Sequence, residues 1–445
     1  MAVPKPVQPV EDVLLQQSFL ARRELFLRPD PSRVVVRPFK PATEPRDLNP
    51  TEKTRANHIV DRVLDLDPET AASQLIDVLE NFEGRHRNLL KTFENRAEEM
   101  EEAFAAHPDF SRIQRQLIGA YFLHEYSFES SALFNPSIVL HPDQSGAPAG
   151  GCRYILSLRS VGEGHISSLS FRCGSITADG AISIDPIVRL ASVPRVINRS
   201  AVPDGEVVDL SFQEDEDISE RLIFPITASQ SNGIEDARFV RFEDEGRRTF
   251  YATYTAYSGS AIRSELLQTD DFVNFRMSPL YGSAARNKGM ALFPRKIDGR
   301  YAMIGRQDNE NLYLIYSDDL YAWDGGVPIL RPRFPWEFVQ IGNCGSPIEL
   351  DEGWLLFTHG VGPVRKYSIG AALLDKKDPS RVLARSSEPI VRPEPSEREG
   401  YVPNVVYTCG AIRHGDHIIL PYALSDTASS FATMRIDALL RAMEG

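Results

Sequence analysis

Two kinds of hydrophobic spacing divide this chain. From about Asn49 to Tyr126 the apolar residues recur at helical intervals, as Leu75, Ile76, Val78, Leu79 and Phe82 and then Leu89, Leu90 and Phe93. Asn49-Pro50-Thr51-Glu52 and Asp67-Pro68-Glu69 read as helix starts with Pro in the first turn, and Glu98, Glu99, Glu101 and Glu102 make a charged, exposed face. The stripes can pack on the rest of the chain or on a second copy, so a homo-oligomer formed through this segment stays open. Ahead of it, Arg33-Val-Val-Val-Arg-Pro-Phe39 reads as a strand that could join the sheets of the second half.

After Asn135 the pattern changes to short alternating strands and turns. Arg153 to Arg159, Phe239 to Phe242 and Thr249 to Tyr257 alternate as strands do. Asp298-Gly299, Asp351-Glu352-Gly353 and His414-Gly415-Asp416 are hairpin turns between apolar runs. Thr269-Asp270-Asp271-Phe272 with Phe275 is echoed 48 residues later by Ser317-Asp318-Asp319-Leu320 with Trp323. A four-stranded propeller blade needs a period of about this length, and the remaining chain has room for roughly five or six. The expected organisation is an N-terminal extension over residues 1–125, with one strand and a helical segment, followed by an all-β propeller over 126–445.

Composition narrows the partners. The chain has 445 residues, 42% of them hydrophobic and 25% charged, which is enough for an ordinary core. A net charge of -13 disfavours nucleic acid and anionic membranes, both of which need a basic face. Cys152, Cys173, Cys344 and Cys409 have neither metal-ligand nor disulfide-framework spacing, so no metal and no cofactor is expected. No apolar run has the length of a signal-peptide core or a membrane span, and a cytoplasmic location is the expectation.

The chemistry centres on Ser231-Asn-Gly-Ile-Glu-Asp-Ala-Arg238, directly ahead of an alternating strand, where a rigid sheet can hold loop residues over a pocket. Alone, an adjacent Glu-Asp pair is more often a solvated turn. Other polar groups fall at strand ends or loops of the same region: Asn135, Arg159, Arg263-Ser264-Glu265, Arg286-Asn287-Lys288, Arg306 to Glu310, Asn343, His359, Tyr401 to Asn404 and Asp426. Singly, His359 reads as a core histidine, Asp426 as a turn residue, and Arg286 and Lys288 as a solvated face. In a propeller they can converge on one axial depression suited to a sugar.

Gly233-Ile-Glu-Asp-Ala-Arg238, Asn287-Lys288 with Phe293 to Tyr301, Ile341-Gly342 with Gly353 to Gly360, Ala372 to Asp375 with Asp378-Pro379, and Gly400 to Val406 together resemble glycoside hydrolase family 130. The resemblance implies a five-bladed propeller acting on β-mannosides, either a phosphorylase or an inverting hydrolase of β-1,2-linked substrates. It places the general acid on Asp236. Asn135, Arg159, Arg238, Tyr257, Arg286, Asn287, Lys288, Arg306, Asp308, Asn343, His359 and Asp426 become candidate substrate contacts. Gln340 stands where phosphorolytic members carry a Lys, and Gly305 to Glu310 departs from their His-Arg-Pro loop. Both differences resemble the hydrolytic branch, in which Glu265 and Glu310 are candidates to activate water.

Inverting hydrolysis needs an acid and a base about 6.5–9.5 Å apart, and the acid must keep its proton, which neighbouring Glu235 could enforce on Asp236. Phosphorolysis needs no base but several cations for the incoming anion. The expectation from sequence is thus an inverting β-mannosidase acting on manno-oligosaccharides. A mannoside phosphorylase and a non-catalytic sugar-binding propeller are the alternatives.

Overall fold

A computed structural model of the chain describes residues 19–42, 53–100 and 110–443. The chain divides into two compact units, Pro31–Phe128 with Val188–Ser192 and the remainder.

Among the described residues of the smaller unit, four helices, Arg55–Leu64, Pro68–Phe82, Leu89–Glu99 and Arg112–Tyr121, enclose Val60, Val63, Ala71, Leu75, Phe93, Leu117 and Ile118. Three of them start at side-chain caps. Asp67 accepts from the N–H groups of Glu69 and Thr70 ahead of Pro68, while Thr54 with Asn57 and Ser111 with Gln114 form reciprocal capping boxes. The Asn49-Pro50-Thr51 start expected from sequence lies outside the described residues, as do Glu101 and Glu102. Ile76 and Leu90 are exposed rather than part of the buried stripe. Gly119 lets the third and fourth helices touch, since a Cβ there would lie 1.9 Å from the Phe93 carbonyl oxygen. The Val34–Pro38 strand does not join the sheets of the larger unit. It pairs antiparallel with Leu123–Ser127, because its outward neighbour is supplied by the chain leaving the last helix.

The larger unit is a succession of antiparallel sheets. The first holds Ala132–Leu140, Cys152–Val161 and Ser167–Ile176, with Ile182–Ile184 and Leu222–Ile223 at its edge. The second runs Gly233–Asp244, Arg247–Tyr257, Ile262–Thr269, Asn274–Pro279, Gly205–Ser211 and Arg195–Val202. A single parallel pairing, Gly233 with Ser167, connects these two. The third contains Ala291–Leu292, Tyr301–Gly305, Leu312–Ser317 and Val327–Leu330. The fourth contains Gln340–Asn343, Trp354–Val361, Tyr367–Leu374 and Val382–Arg385, with Ile348–Glu349 beside its second strand. The fifth runs Val406–Tyr407, His417–Leu424 and Ala428–Arg435, with Ile412–His414 on the second, and ends on the three-residue strand Leu20–Arg22.

Apolar side chains fill the spaces between successive sheets. Phe171, Phe239, Phe250, Phe272 and Phe275 lie between the first and second, and Phe242, Met290 and Trp323 between the second and third. Phe293, Ile304 and Trp354 lie between the third and fourth. Phe357, Ile369, Ile418 and Leu420 lie between the fourth and fifth, and Leu133, Leu156, Ile419 and Phe431 between the fifth and first. The repeated Thr269/Ser317 motif is one turn used twice. In each copy a hydroxyl at the end of the third strand accepts backbone N–H groups and the following bulky side chains, Phe272 and Phe275 or Leu320 and Trp323, drop into the core.

Phe272 sits at the middle of the aromatic cluster, 5.0 Å from Phe250 and 5.6 Å from Phe239 between ring centroids, and is 1% exposed. Phe272→Ala removes these contacts and leaves a cavity, so it should destabilise the protein by about 3–5 kcal/mol. Chemical denaturation checks this, and a loss below about 1 kcal/mol would show that the site collapses around the smaller side chain.

Candidate active site

The first strand of each sheet starts, and the second ends, at the same edge of the unit, and the candidate residues lie there. Two β-bulges shape the centre. Pairing jumps from Phe134 to Ser137 in the first sheet and from Glu235 to Arg238 in the second. The displaced residues Asn135 and Asp236 have φ of 48° and 52°, a left-handed conformation that Asn and Asp tolerate better than other side chains bearing a Cβ. Ser137 fixes the two bulges together by accepting the Phe239 N–H at 3.0 Å. As a result Asn135 Nδ2 donates to Asp236 Oδ1 at 2.6 Å.

Arg159 and Arg238 act on this carboxylate, and Arg306 lies on the adjoining His359. Arg159 donates to Asp236 at 3.4 Å, to Glu235 at 2.7 Å and to Ser167 Oγ at 2.9 Å, with its plane 5.0 Å from the Phe134 ring centre. Arg238 donates to the Asp236 carbonyl at 3.1 Å, the Cys344 carbonyl at 3.1 Å and the Tyr407 hydroxyl at 2.8 Å. Arg306 Nη1 donates to His359 Nε2 at 3.2 Å. Since arginine only donates, that nitrogen is the unprotonated one. His359 stacks on Tyr367 at 5.9 Å and meets Tyr407 at 4.8 Å.

Charge follows from this arrangement. Burial pushes the Asp236 carboxyl up, but Arg159, Arg238 and Lys288, with the Asn135 hydrogen bond, outweigh it and hold the group below the usual carboxylate range. The expectation that Glu235 would keep Asp236 protonated is therefore reversed, because Glu235 is itself neutralised by Arg159. The elevated carboxyl is Asp426, pushed up to about 6 by burial and then by the Asp236 charge, with Arg159 and Arg365 opposing. Burial and the Arg306 and Arg238 charges keep His359 neutral.

Several buried polar atoms of this cluster have no protein partner: Asn135 Oδ1, Arg306 Nε, both side-chain atoms of Asn343, and His359 Nδ1. Buried groups of this kind are nearly always satisfied, so together they describe a surface ready for a ligand rich in hydroxyls or anionic oxygens. Close approach is built in at Gly342, where a Cβ would lie 2.5 Å from His359 Nε2 and 3.1 Å from Arg306 Nη1.

The remaining candidates separate into two groups. Lys288 is half-buried and near enough for its charge to lower Asp236. Asn287 spends its amide on the Arg306 and Gln307 carbonyls, shaping the adjoining loop. Arg286 is exposed, and Tyr257 donates to the Gly259 carbonyl at 3.2 Å. Asp308 closes its own turn. Burial opposes its ionisation, but bonds from the Asn311 and Glu310 amides, the Asn311 side chain and Tyr313 bring it to about 2. Glu265 is 5% exposed and accepts from Ser229 at 2.6 Å, Gln230 at 2.9 Å and Tyr254 at 2.6 Å, so both oxygens are engaged. Glu310 is exposed on the loop between the second and third strands of the third sheet. Tyr367 and Tyr407 were not singled out from sequence, although Tyr407 directly follows the Gly400 to Val406 motif.

Residues 200–445 match the family model described as beta-1,4-mannooligosaccharide phosphorylase, that of glycoside hydrolase family 130. The chain belongs to this family. A 1,2-beta-oligomannan phosphorylase of Thermoanaerobacter sp. (strain X514) is 35% identical over 216 residues, covering 47% of this chain and 71% of that protein. A beta-1,2-mannobiose phosphorylase of Listeria innocua is 33% identical over 232 residues, covering 50% of this chain and 63% of that protein. The curated relatives are thus matched over about two thirds of their length, by about half of this chain. Among solved structures, the Listeria innocua beta-1,2-mannobiose phosphorylase in complex with beta-1,2-mannobiose superposes with a TM-score of 0.50 and 24% identity, covering 70% of this chain and 92% of that one. A second, from work on family 130 glycoside hydrolases that target beta-1,2 mannosidic linkages in Candida mannan, gives 0.52 and 19% over 71% and 87%. At these identities the two superpositions speak for the fold alone.

Asp426 ionises above about 3.9 in an unfolded chain but keeps its proton to about 6 when folded. Folding therefore takes up a proton between these values, and the folded state loses on the order of 1–3 kcal/mol as pH rises through that window. Asp426→Asn cannot titrate, so its melting temperature should gain on that of the parent between pH 4 and 7. Parallel curves would mean that Asp426 ionises normally.

Proposed function

We propose that this chain cleaves β-mannosidic bonds, most naturally β-1,2-linked manno-oligosaccharides, by phosphorolysis with inversion, on a five-bladed propeller. The observation that carries the reaction type is the buried cationic cluster. Arg159, Arg238, Lys288 and Arg306 surround one ionised carboxylate and a neutral histidine, with donor capacity still unused. An incoming phosphate is already a nucleophile and brings close to two negative charges, which this field favours. The phosphorylase names of the curated relatives point the same way.

In this reading a phosphate oxygen bonds to the anomeric carbon from the face opposite the glycosidic oxygen. The C–O bond to the leaving sugar breaks, and that oxygen takes a proton from Asp236 directly or through a substrate hydroxyl. Asp236 starts ionised, so it must first gain the proton, which the incoming hydrogen phosphate brings on one of its oxygens. A phosphate beside Lys288 and the arginines offsets the field that keeps it ionised, and the donor form arises as the nucleophile arrives. Asn135 and Arg159 then orient the acid, while Asn343, His359 and Asp426 meet sugar hydroxyls.

The propeller reading is supported by apolar packing that joins each sheet to the next and the fifth to the first, and by the family fold. The boundary near residues 125–126 between an N-terminal extension and the catalytic domain is kept, apart from Leu20–Arg22, which lies in the last sheet.

Hydrolysis is the second reading, favoured by Gln340 and by Glu310, which is exposed and could hold a water. Glu265 serves it poorly while three donors occupy its oxygens.

Product analysis on β-1,2-mannobiose with and without excess phosphate separates the two readings. Mannose 1-phosphate is expected as the main product and cleavage should stop without phosphate, whereas free mannose released at an unchanged rate would establish hydrolysis. Asp236→Asn should lower turnover by roughly 10² to 10⁴ with substrate binding retained. Lys288→Ala should chiefly raise the KM for phosphate. If it instead left phosphate saturation unchanged, the anion would have to sit elsewhere.

A further inference from the structure

Arg22 lies far in sequence from the candidate site and outside the 200–445 family match. It ends the short strand Leu20–Arg22 at the outer edge of the fifth sheet, opposite Ala432. Its side chain is only 20% exposed and every nitrogen of its guanidinium is used. Nε pairs with Glu394 at 2.9 Å, Nη1 bonds the Glu397 carboxylate and the Tyr422 hydroxyl, and Nη2 donates to the Arg392 carbonyl at 2.7 Å. This planar fork gathers a segment, residues 392–400, that contains one short 3-10 turn and no strand.

That segment leads to the site. The Glu397 carboxylate is set by Arg22, by the Tyr422 hydroxyl at 3.0 Å and by the Glu394 N–H at 2.9 Å. Its carbonyl accepts the Ser425 hydroxyl at 2.6 Å. Ser425 and Asp426 are consecutive left-handed residues, with φ of 47° and 49°. A side chain held in that region costs free energy and persists only where its surroundings over-determine it. Here the restraints act on the Ser425 N–H, bonded to the Val405 carbonyl at 2.8 Å, on the Ser425 carbonyl, which accepts the Val402 N–H and the Thr427 hydroxyl at 3.0 Å each, and on the Ser425 hydroxyl, which donates to the Glu397 carbonyl. The first two come from the sheet and the loop beside it. The third depends on where Arg22 holds Glu397.

We infer that Arg22 is a positioning residue for Asp426, acting through Glu397 and Ser425, so that the short strand Leu20–Arg22 completes the active site from outside the segment that matches the family model. The inference rests on the functional reading above, in which Asp426 meets a sugar hydroxyl. It also identifies a specific route: the displacement of one turn, with Asp236, Arg159 and their bulges left in place.

The test is a double-mutant cycle on phosphorolysis of β-1,2-mannobiose. Arg22→Met should lower kcat/KM roughly 10- to 100-fold, mainly through the KM for mannobiose, while in an Asp426→Asn background the same change should cost less than about twofold. Arg22→Lys should recover part of the loss. Ser425→Ala, which cuts the chain at its last link without touching the ion pairs, should reproduce the effect if Arg22→Met folds poorly. Hydrogen exchange gives a readout independent of activity: amides of residues 424–428 should exchange faster in Arg22→Met, with those of Gly233–Asp244 unchanged. Equal losses in both backgrounds, or no loss at all, would overturn the inference. If the unaltered protein cleaved no β-mannoside, the functional reading would fall instead, and the exchange result would still decide whether Arg22 holds the turn.

Discussion

The arrangement depends on one buried carboxylate that is over-supplied with positive charge. Asp236 has lost most of its water, and a carboxyl in that position would ordinarily be neutral. Arg159, Arg238 and Lys288 reverse the outcome, and the two arginines are held by other groups as well. Arg159 is shared with Glu235 and lies over Phe134, while Arg238 is tied to Tyr407 and to the Cys344 carbonyl on other sheets. The site's electrostatics are therefore a property of how several sheets meet. No single loop contains them.

This dependence explains why a neighbouring carboxyl behaves in the opposite way. Asp426 is burdened by the Asp236 charge without receiving the same share of the cations, so it retains a proton into the weakly acidic range. Two carboxyls of the same chemical type are driven apart by position, as happens wherever acid and base roles are separated within one pocket. The neutral His359 belongs to the same balance. Packed among arginines it cannot add another positive charge, and its remaining N–H is left without a protein acceptor.

Much of the architecture is legible from residue order. Alternation and Gly-containing turns locate the hairpins, and the Thr269/Ser317 echo marks a turn repeated in successive sheets, because the same hydroxyl capping and the same buried aromatic are needed each time. The loop carrying Glu235, Asp236 and Arg238 is legible as chemistry. What stays hidden depends on distant partners. The left-handed bulges at Asn135 and Asp236 are imposed by strand pairing, and the charge of Asp236 is set by residues up to 101 positions away. The strand at Val34–Pro38 is recognisable, but its neighbour is not, since β-branched residues specify extension without specifying a partner. Leu20–Arg22 is too short for any periodicity to reveal.

That short strand also sets an order of events in synthesis. Leu20–Arg22 leaves the ribosome long before Ala428–Arg435, the strand it pairs with. The fifth sheet cannot be completed until Ala428–Arg435 has been made, and its first-made edge must wait through the appearance of the four sheets between. Contacts of such long sequence separation are slow to form and cooperative once formed. Assembly of the fifth sheet, and with it the seating of Glu397 against Arg22, thus waits on the synthesis of Ala428–Arg435, and a chain stopped before His417 would lack the turn that carries Asp426 as well as the strands on either side of it.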